Sequence, residues 1–235
     1  MYKEHRAFET PPDSCVIWRY MSFTKFAWLI ATDSLYFSRL DQHADEWEGL
    51  VSTEPENIGH RKYIRFTKYI NCWHINGNES DAMWKLYGPS GETVAVKSTV
   101  GILKTSLKDG IPIYIGKVNY NEGKIPDGNL YWPVVFKRMP FQHEKELRLC
   151  IASQLNDNPP DLTQLKNELA LSGVSDPTDS KLLKGIGPKG ISVSIDVNQL
   201  VQEVIICPSA RPYLNKALDY MLKSKPYEIQ MSMVI

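Results

Sequence analysis

The chain has 235 residues, 43% of them hydrophobic and 23% charged, and its 27 Lys+Arg are balanced by 27 Asp+Glu to a net charge of zero. That composition suits one folded domain spanning 1–235 and excludes a disordered or fibrous chain. Zero net charge argues against a protein wrapped in a broad phosphate-tracking field, although a local basic patch survives such a sum. The longest apolar runs, at 26–30 and 204–207, fall far short of the ~20 residues that cross a bilayer, and the first residues lack the apolar core of a leader. A cytoplasmic chain with no membrane partner is expected.

Residues 15–20 (Cys-Val-Ile-Trp-Arg-Tyr) are β-branched and aromatic and read as a strand. From Ser22 or Thr24 a helix follows, with Phe23, Phe26, Ala27 and Ile30 at three- and four-residue spacing. A short strand is expected at 34–38, an acidic loop at 41–49, and a polar helix at 55–69, basic in its second half. Residues 69–75 form a strand, 76–78 a turn, and 79–87 a short helix ended by Gly88-Pro89. Residues 93–97 alternate as a strand and 100–107 are helical. Further strands are expected at 111–120, 130–136 and 146–152. The polar stretch at about 154–190 reads as an excursion with one weak helix at 162–171. Strands at 191–195 and 204–207 and a helix at 210–223 complete the chain. The pattern predicts a mixed α+β domain in which strands outnumber well-patterned helices.

Cys15, Cys72, Cys150 and Cys207 are scattered through apolar runs, with no Cys-x-x-Cys pair. Reduced, buried thiols are expected, and no metal site. Gly185-Ile186-Gly187-Pro188-Lys189-Gly190 matches Gly-x-Gly-x-x-Gly, but a strand follows it where a dinucleotide-binding turn needs a helix, and Pro188 lacks an amide donor. A loop is the reading there.

Four constellations carry possible chemistry. Arg19 shares a strand face with Ile17 and Met21, where a guanidinium needs an anionic partner. That partner is either an internal carboxylate or a ligand's phosphate or ribose, with Tyr20 and Ser22 beside it. Tyr36 and Ser38 share one strand face, an aromatic ring beside a hydroxyl that suits a flat heterocycle, or else an ordinary half-buried strand. Glu144, Glu146 and Arg148 line one face if a strand begins near 144. Carboxylates so spaced lie ~7 Å apart, close enough to raise the pKa of one while Arg148 keeps the other ionised; a solvent-facing salt-bridged strand is the plainer alternative. Around the 79–87 helix, Ser80, Met83, Trp84 and Tyr87 share a face that suits packing. His74, within a strand, has no metal-binding partner at ligand spacing.

As an ordered set, Arg19-Tyr20, Leu35-Tyr36-Phe37-Ser38, Met83-Trp84-Lys85-Leu86-Tyr87 and Glu144-Lys145-Glu146-Leu147-Arg148 resemble the motifs of a bacterial and phage protein family of unknown function, across about residues 16–223. The layout also resembles the ADP-ribosyltransferase superfamily. That resemblance implies a mainly antiparallel, split β-sheet core flanked by helices, with NAD as substrate. It implies that Arg19, Tyr20, Ser22, Tyr36 and Ser38 hold NAD, and that Glu146, with Glu144 upstream, stabilises the ribosyl cation. A toxin or phage-defence effector, with a protein or nucleic-acid acceptor and a cognate antitoxin or immunity protein, would follow. The Ser-Thr-Ser triplet of that superfamily is replaced by Asn71-Cys72-Trp73-His74, and the His-Gly-Thr opening of its other subclass is missing.

Two other functions remain open. Asp127 ahead of Glu146-Leu147-Arg148 is loosely similar to a magnesium nuclease core, with Arg in place of Lys. A non-catalytic binding module is the other. Arg61, Lys62, Arg65 and Lys68, interleaved with aromatics, are the candidate contacts for a nucleic-acid target of the NAD-using reading or for a partner of the binding module, against the alternative of a solvated helix face.

Overall fold

The computed structural model describes residues 1–43, 64–121, 130–152 and 188–234. Arg61, Lys62, Asp127, the 162–171 helix and nearly all of the polar excursion lie outside those residues.

The fold is mixed α+β, a mainly antiparallel sheet flanked by helices. Its strands are β1 (Val16–Ser22), β2 (Ser34–Arg39), β3 (Lys68–Ile75), β4 (Thr93–Thr99), β5 (Tyr114–Lys117), β6 (Asn119–Tyr120), β7 (Phe136–Lys137), β8 (Glu146–Ala152), β9 (Gly190–Ser194), β10 (Glu203–Ile206) and β11 (Glu228–Met231). The helices are α1 (Phe23–Thr32), α2 (Asp81–Tyr87), α3 (Val100–Ser106), α4 (Val197–Leu200) and α5 (Pro212–Leu222). Side-chain oxygens of Ser22, Ser80, Thr99 and Asp196 cap the first four of these at the amides of Lys25, Met83, Ile102 and Gln199. The expected strand at 130–136 is replaced by a 3₁₀ turn, Trp132–Val134, because Pro133 cannot donate to a ladder. The helix expected over 55–69 gives way by Lys68, where β3 begins.

One large sheet runs β11-β10-β4-β1-β3-β2-β9, with β8 along the other edge of β3 and β5 beyond it. Only the β10–β11 pair within it is parallel. Its centre is split. β1 meets β3 at Ile17–Ile75 and Trp18–His74, whereas β2 meets the same edge of β3 at Ser38–Ile70 and Arg39–Tyr69. Neither strand pairs with Asn71, Cys72 or Trp73 in between.

Alternation sends Ile17, Met21, Tyr69, Trp73, Leu147 and Leu149 to one face, where Phe26, Leu29 and Ile30 of α1, Leu103 of α3, Leu200 of α4 and Leu214 and Leu218 of α5 cover them. The opposite face carries two smaller clusters. Trp18, Tyr20, Met83 and Trp84 form one; Phe8, Ile70, Val134 and Cys150 form the other.

Asn71 holds the split in place. Its Nδ2 donates to the Tyr36 carbonyl at 2.9 Å, while its Oδ1 accepts from Trp73 Nε1 at 2.9 Å and from the Arg19 guanidinium. The side chain is 2% exposed, so truncation strands three polar groups away from water. Asn71→Ala is expected to lower unfolding stability by roughly 3 kcal/mol, read as a lower urea midpoint at unchanged slope.

Candidate active site

A small cleft opens where β1 leaves β3. Trp18, Arg19 and Tyr20 of β1, Cys72, Trp73 and His74 of β3, Met83 and Tyr87 of α2, and Glu144 and Glu146 line it. Arg19, Tyr20, Glu144 and Glu146 are therefore brought together from positions far apart in sequence. Ser22, Tyr36 and Ser38 are not. Ser22 caps α1. Tyr36 is 46% exposed, edge-on to Trp28, and reaches the site only through its carbonyl on Asn71. Ser38 pairs with His43 Nε2 at 2.9 Å. β2 stays on the far side of the split, which separates these two side chains from Arg19.

Arg19 is half-buried, and its guanidinium donates to Asn71 Oδ1 and, at 3.1 Å, to the Cys72 carbonyl. It also lies 5.8 Å from the centre of the Trp73 ring. These partners are neutral, and no carboxylate among the described residues forms an ion pair with it. Burial lowers its pKa, the proximity of Cys72 and Tyr87 acting against that. The internal-carboxylate alternative for Arg19 is thus not what the fold provides. Tyr20 is buried, its hydroxyl accepting from the Ser80 amide at 2.9 Å, and burial pushes its pKa up to about 12.

The two glutamates differ from the expected arrangement. Glu144 ends a 3₁₀ turn, Met139–Glu144, and Lys145 follows in the left-handed region at φ 39° before β8 starts at Glu146. That reversal places both carboxylates at one lysine: Lys137 Nζ lies 2.8 Å from Glu144 Oε2 and 3.6 Å from Glu146 Oε2. Arg148 takes Glu146 in a fork, Nε to Oε1 at 3.1 Å and a terminal nitrogen to Oε2 at 2.8 Å, and donates to the Val134 carbonyl at 2.7 Å. Glu146 and Arg148 are 6% and 0% exposed. The solvent-facing salt-bridged strand is accordingly replaced by a buried ion cluster. Tyr120, which nothing in the sequence pattern marked, accepts the Glu146 amide at 2.8 Å.

His74 stands opposite Glu146 across the β3–β8 ladder. Its Nδ1 lies 2.6 Å from the Glu144 carbonyl oxygen, an acceptor only, so Nδ1 carries the hydrogen. Burial lowers the imidazole pKa, only partly offset by that hydrogen bond, with Lys145 and His143 lowering it further.

The expected basic face at 60–69 is altered where it is described. Lys68 is 5% exposed, with its ammonium 4.5 Å from the centre of the Tyr131 ring, and so does not greet a phosphate. Arg65 is half-buried, turned toward the carbonyls of Asp41 and His43 at 3.5 and 3.4 Å. Among the described residues, all four cysteines are thiols, no cluster of three His, Cys, Asp or Glu gathers to hold a metal ion, and no helix is long and apolar enough to cross a membrane.

No protein-family model matches the sequence, and no curated protein matches it as a relative. Solved structures similar to it include Thermus sp. 2.9 DarT in complex with ADP-ribosylated ssDNA, with carba-NAD+ and with NAD+, at 10%, 12% and 10% identity. Each aligns at a TM-score of 0.39 over 94–96% of this chain and 97–98% of the other. At that level of likeness the site rests on its own geometry.

Two outcomes follow from the buried charges. Arg148→Met leaves Glu146 ionised without its fork and is expected to cost roughly 3–5 kcal/mol; adding Glu146→Gln should return much of that loss, in a double-mutant cycle read by denaturant unfolding. Desolvation lowers the Lys68 pKa, so the folded state releases this proton at a lower pH than the unfolded chain does. Stability should therefore rise with pH between the folded value and the unfolded ~10.4. Lys68→Met should raise the melting temperature at neutral pH and flatten that alkaline rise.

Proposed function

We propose that this chain is an NAD-consuming enzyme of the ADP-ribosyltransferase type, with Arg19 and Glu146 as its working pair. The observation that carries the reading is their meeting in one cleft in complementary states. Arg19 is a half-buried cation whose hydrogen-bond partners, Asn71 and the Cys72 carbonyl, are neutral, which favours an anionic ligand such as a pyrophosphate. Glu146 is paired with two buried cations, and this holds an ionised carboxylate at a fixed place.

Breaking the nicotinamide–ribose bond builds positive charge on the sugar, and a preorganised carboxylate stabilises that charge without solvent reorganising. In this reading Arg148 and Lys137 position Glu146, and Glu144 shares Lys137 with it. The cleft holds only about 30 Å³, far below the 300–1,000 Å³ of common ligand pockets. NAD therefore binds only once the cleft widens. Its outer wall is α2 and the 139–144 turn, neither of them part of the large sheet. Ser22, Tyr36 and Ser38 lie outside the working group, and a toxin or phage-defence role would follow from depletion of NAD or modification of an acceptor.

The test is nicotinamide release from NAD by the purified chain. Glu146→Gln should slow it about 10²–10³-fold, the range for removing one group aimed at transition-state charge. Arg19→Ala should act mainly by raising KM. Release at the wild-type rate in both variants would end the proposal.

A further inference from the structure

His74 has one nitrogen that the fold leaves unused. The residue is 2% exposed, and its Nε2 is buried with no hydrogen-bond partner. Leaving such an atom unpaired costs on the order of 1–3 kcal/mol, and buried polar groups of this kind ordinarily find a partner. Because Nδ1 donates to the Glu144 carbonyl, Nε2 in the neutral ring presents a lone pair and not a hydrogen. The residue lines the same cleft as Arg19 and Glu146, and its volume of about 30 Å³ accommodates one water.

Resting on the NAD reading above, we infer that the cleft binds a water at His74 Nε2, that His74 is its general base, and that water is therefore an acceptor of the ribosyl group. The water oxygen forms a bond to C1′ of the nicotinamide ribose. The C1′–nitrogen bond breaks, and its electron pair stays with the ring nitrogen, so nicotinamide leaves neutral. The water's proton passes to Nε2 and afterwards to solvent. The products are ADP-ribose, nicotinamide and one proton, and no further reactant is needed. Glu146, across the ladder from His74, stabilises the cation that the water attacks.

The geometry tunes this base toward its neutral form. Around it stand Arg19 and Tyr20 of β1, Tyr87 of α2, His143 and Lys145 of the turn, and Glu146 of β8. Desolvation is the largest influence and lowers the pKa from 6.5. The base is thus active above that lowered value, and its rate falls only as the pH drops through it.

The experiment incubates the full chain with NAD and no macromolecule, and measures nicotinamide and free ADP-ribose by chromatography. Equimolar release is expected, falling away on the acid side below pH 6.5. His74→Asn keeps a donor for the Glu144 carbonyl but has nothing at Nε2, and both products should fall about a hundredfold with a near-unchanged melting temperature. Azide, a nucleophile with no proton to give up, should restore nicotinamide release in that variant and yield the ribosyl azide. His74→Gln serves the same comparison if the first variant unfolds. Nicotinamide released without free ADP-ribose, an unchanged rate in either variant, or no acid limb would overturn the water inference and leave the NAD reading standing. No nicotinamide under any condition would overturn both.

Discussion

Everything in the site depends on one amide filling a gap between strands. β1 and β2 both seek the same edge of β3, and that edge cannot serve both along its length. β1 takes the end at Ile75 and β2 the end at Ile70, which leaves Asn71 to bond to the Tyr36 carbonyl, the Trp73 indole and Arg19 together. An asparagine offers a donor and an acceptor on one short planar group, and the gap needs both. An aliphatic side chain of similar size would fill the volume but satisfy none of the three.

The charges are arranged around that opening in two parts. Among the described residues, Glu144, Glu146, Lys137 and Arg148 are joined into a buried set by ion pairs and the Arg148–Glu146 fork. A buried ionic set of this kind is a poor source of net stability, because desolvation offsets much of the attraction. Its effect here is positional: it fixes a carboxylate at the start of β8. Arg19 is outside that set, its guanidinium donating to Asn71 Oδ1 and the Cys72 carbonyl.

Much of the fold was legible from the sequence. Periodicity identified β1, α1, β2, β3, α2, β4, α3, β8, β9, β10 and α5, because each has apolar residues at the spacing of its own geometry. It missed α4 and β11, which are short, and misassigned 130–136, where Pro133 forces a turn. Arg19 and Glu146, expected to share a site, both line one cleft. The loss of Tyr36 and Ser38 from the site was not foreseen, since alternation along β2 gives the face of a side chain and not the distance between two diverging strands. Glu144 was expected on a strand; the left-handed residue at Lys145, a non-glycine, carries no sequence signal for such a turn. Lys68 read as part of a basic surface because its neighbours are charged, while in the fold it is buried with its ammonium against the ring of Tyr131, far away in the chain. The orphan nitrogen of His74 is a property of packing and has no counterpart in residue spacing.

The split has a mechanical side as well. β1 is laced to β4 along its whole length, from Val16–Thr99 to Ser22–Thr93, and β8 to β3 from Lys68–Ala152 to His74–Glu146. Between these two firmly stitched ribbons the direct ladder is a narrow strip, Ile17–Ile75 and Trp18–His74. That strip is as short as the ladder β2 makes on the same edge, and Arg19 sits one residue beyond it, with His74 at it and Glu146 opposite His74. A few degrees of twist about that strip would change the spacing of β1 and β8, and with it the cleft they line, while leaving every longer ladder intact.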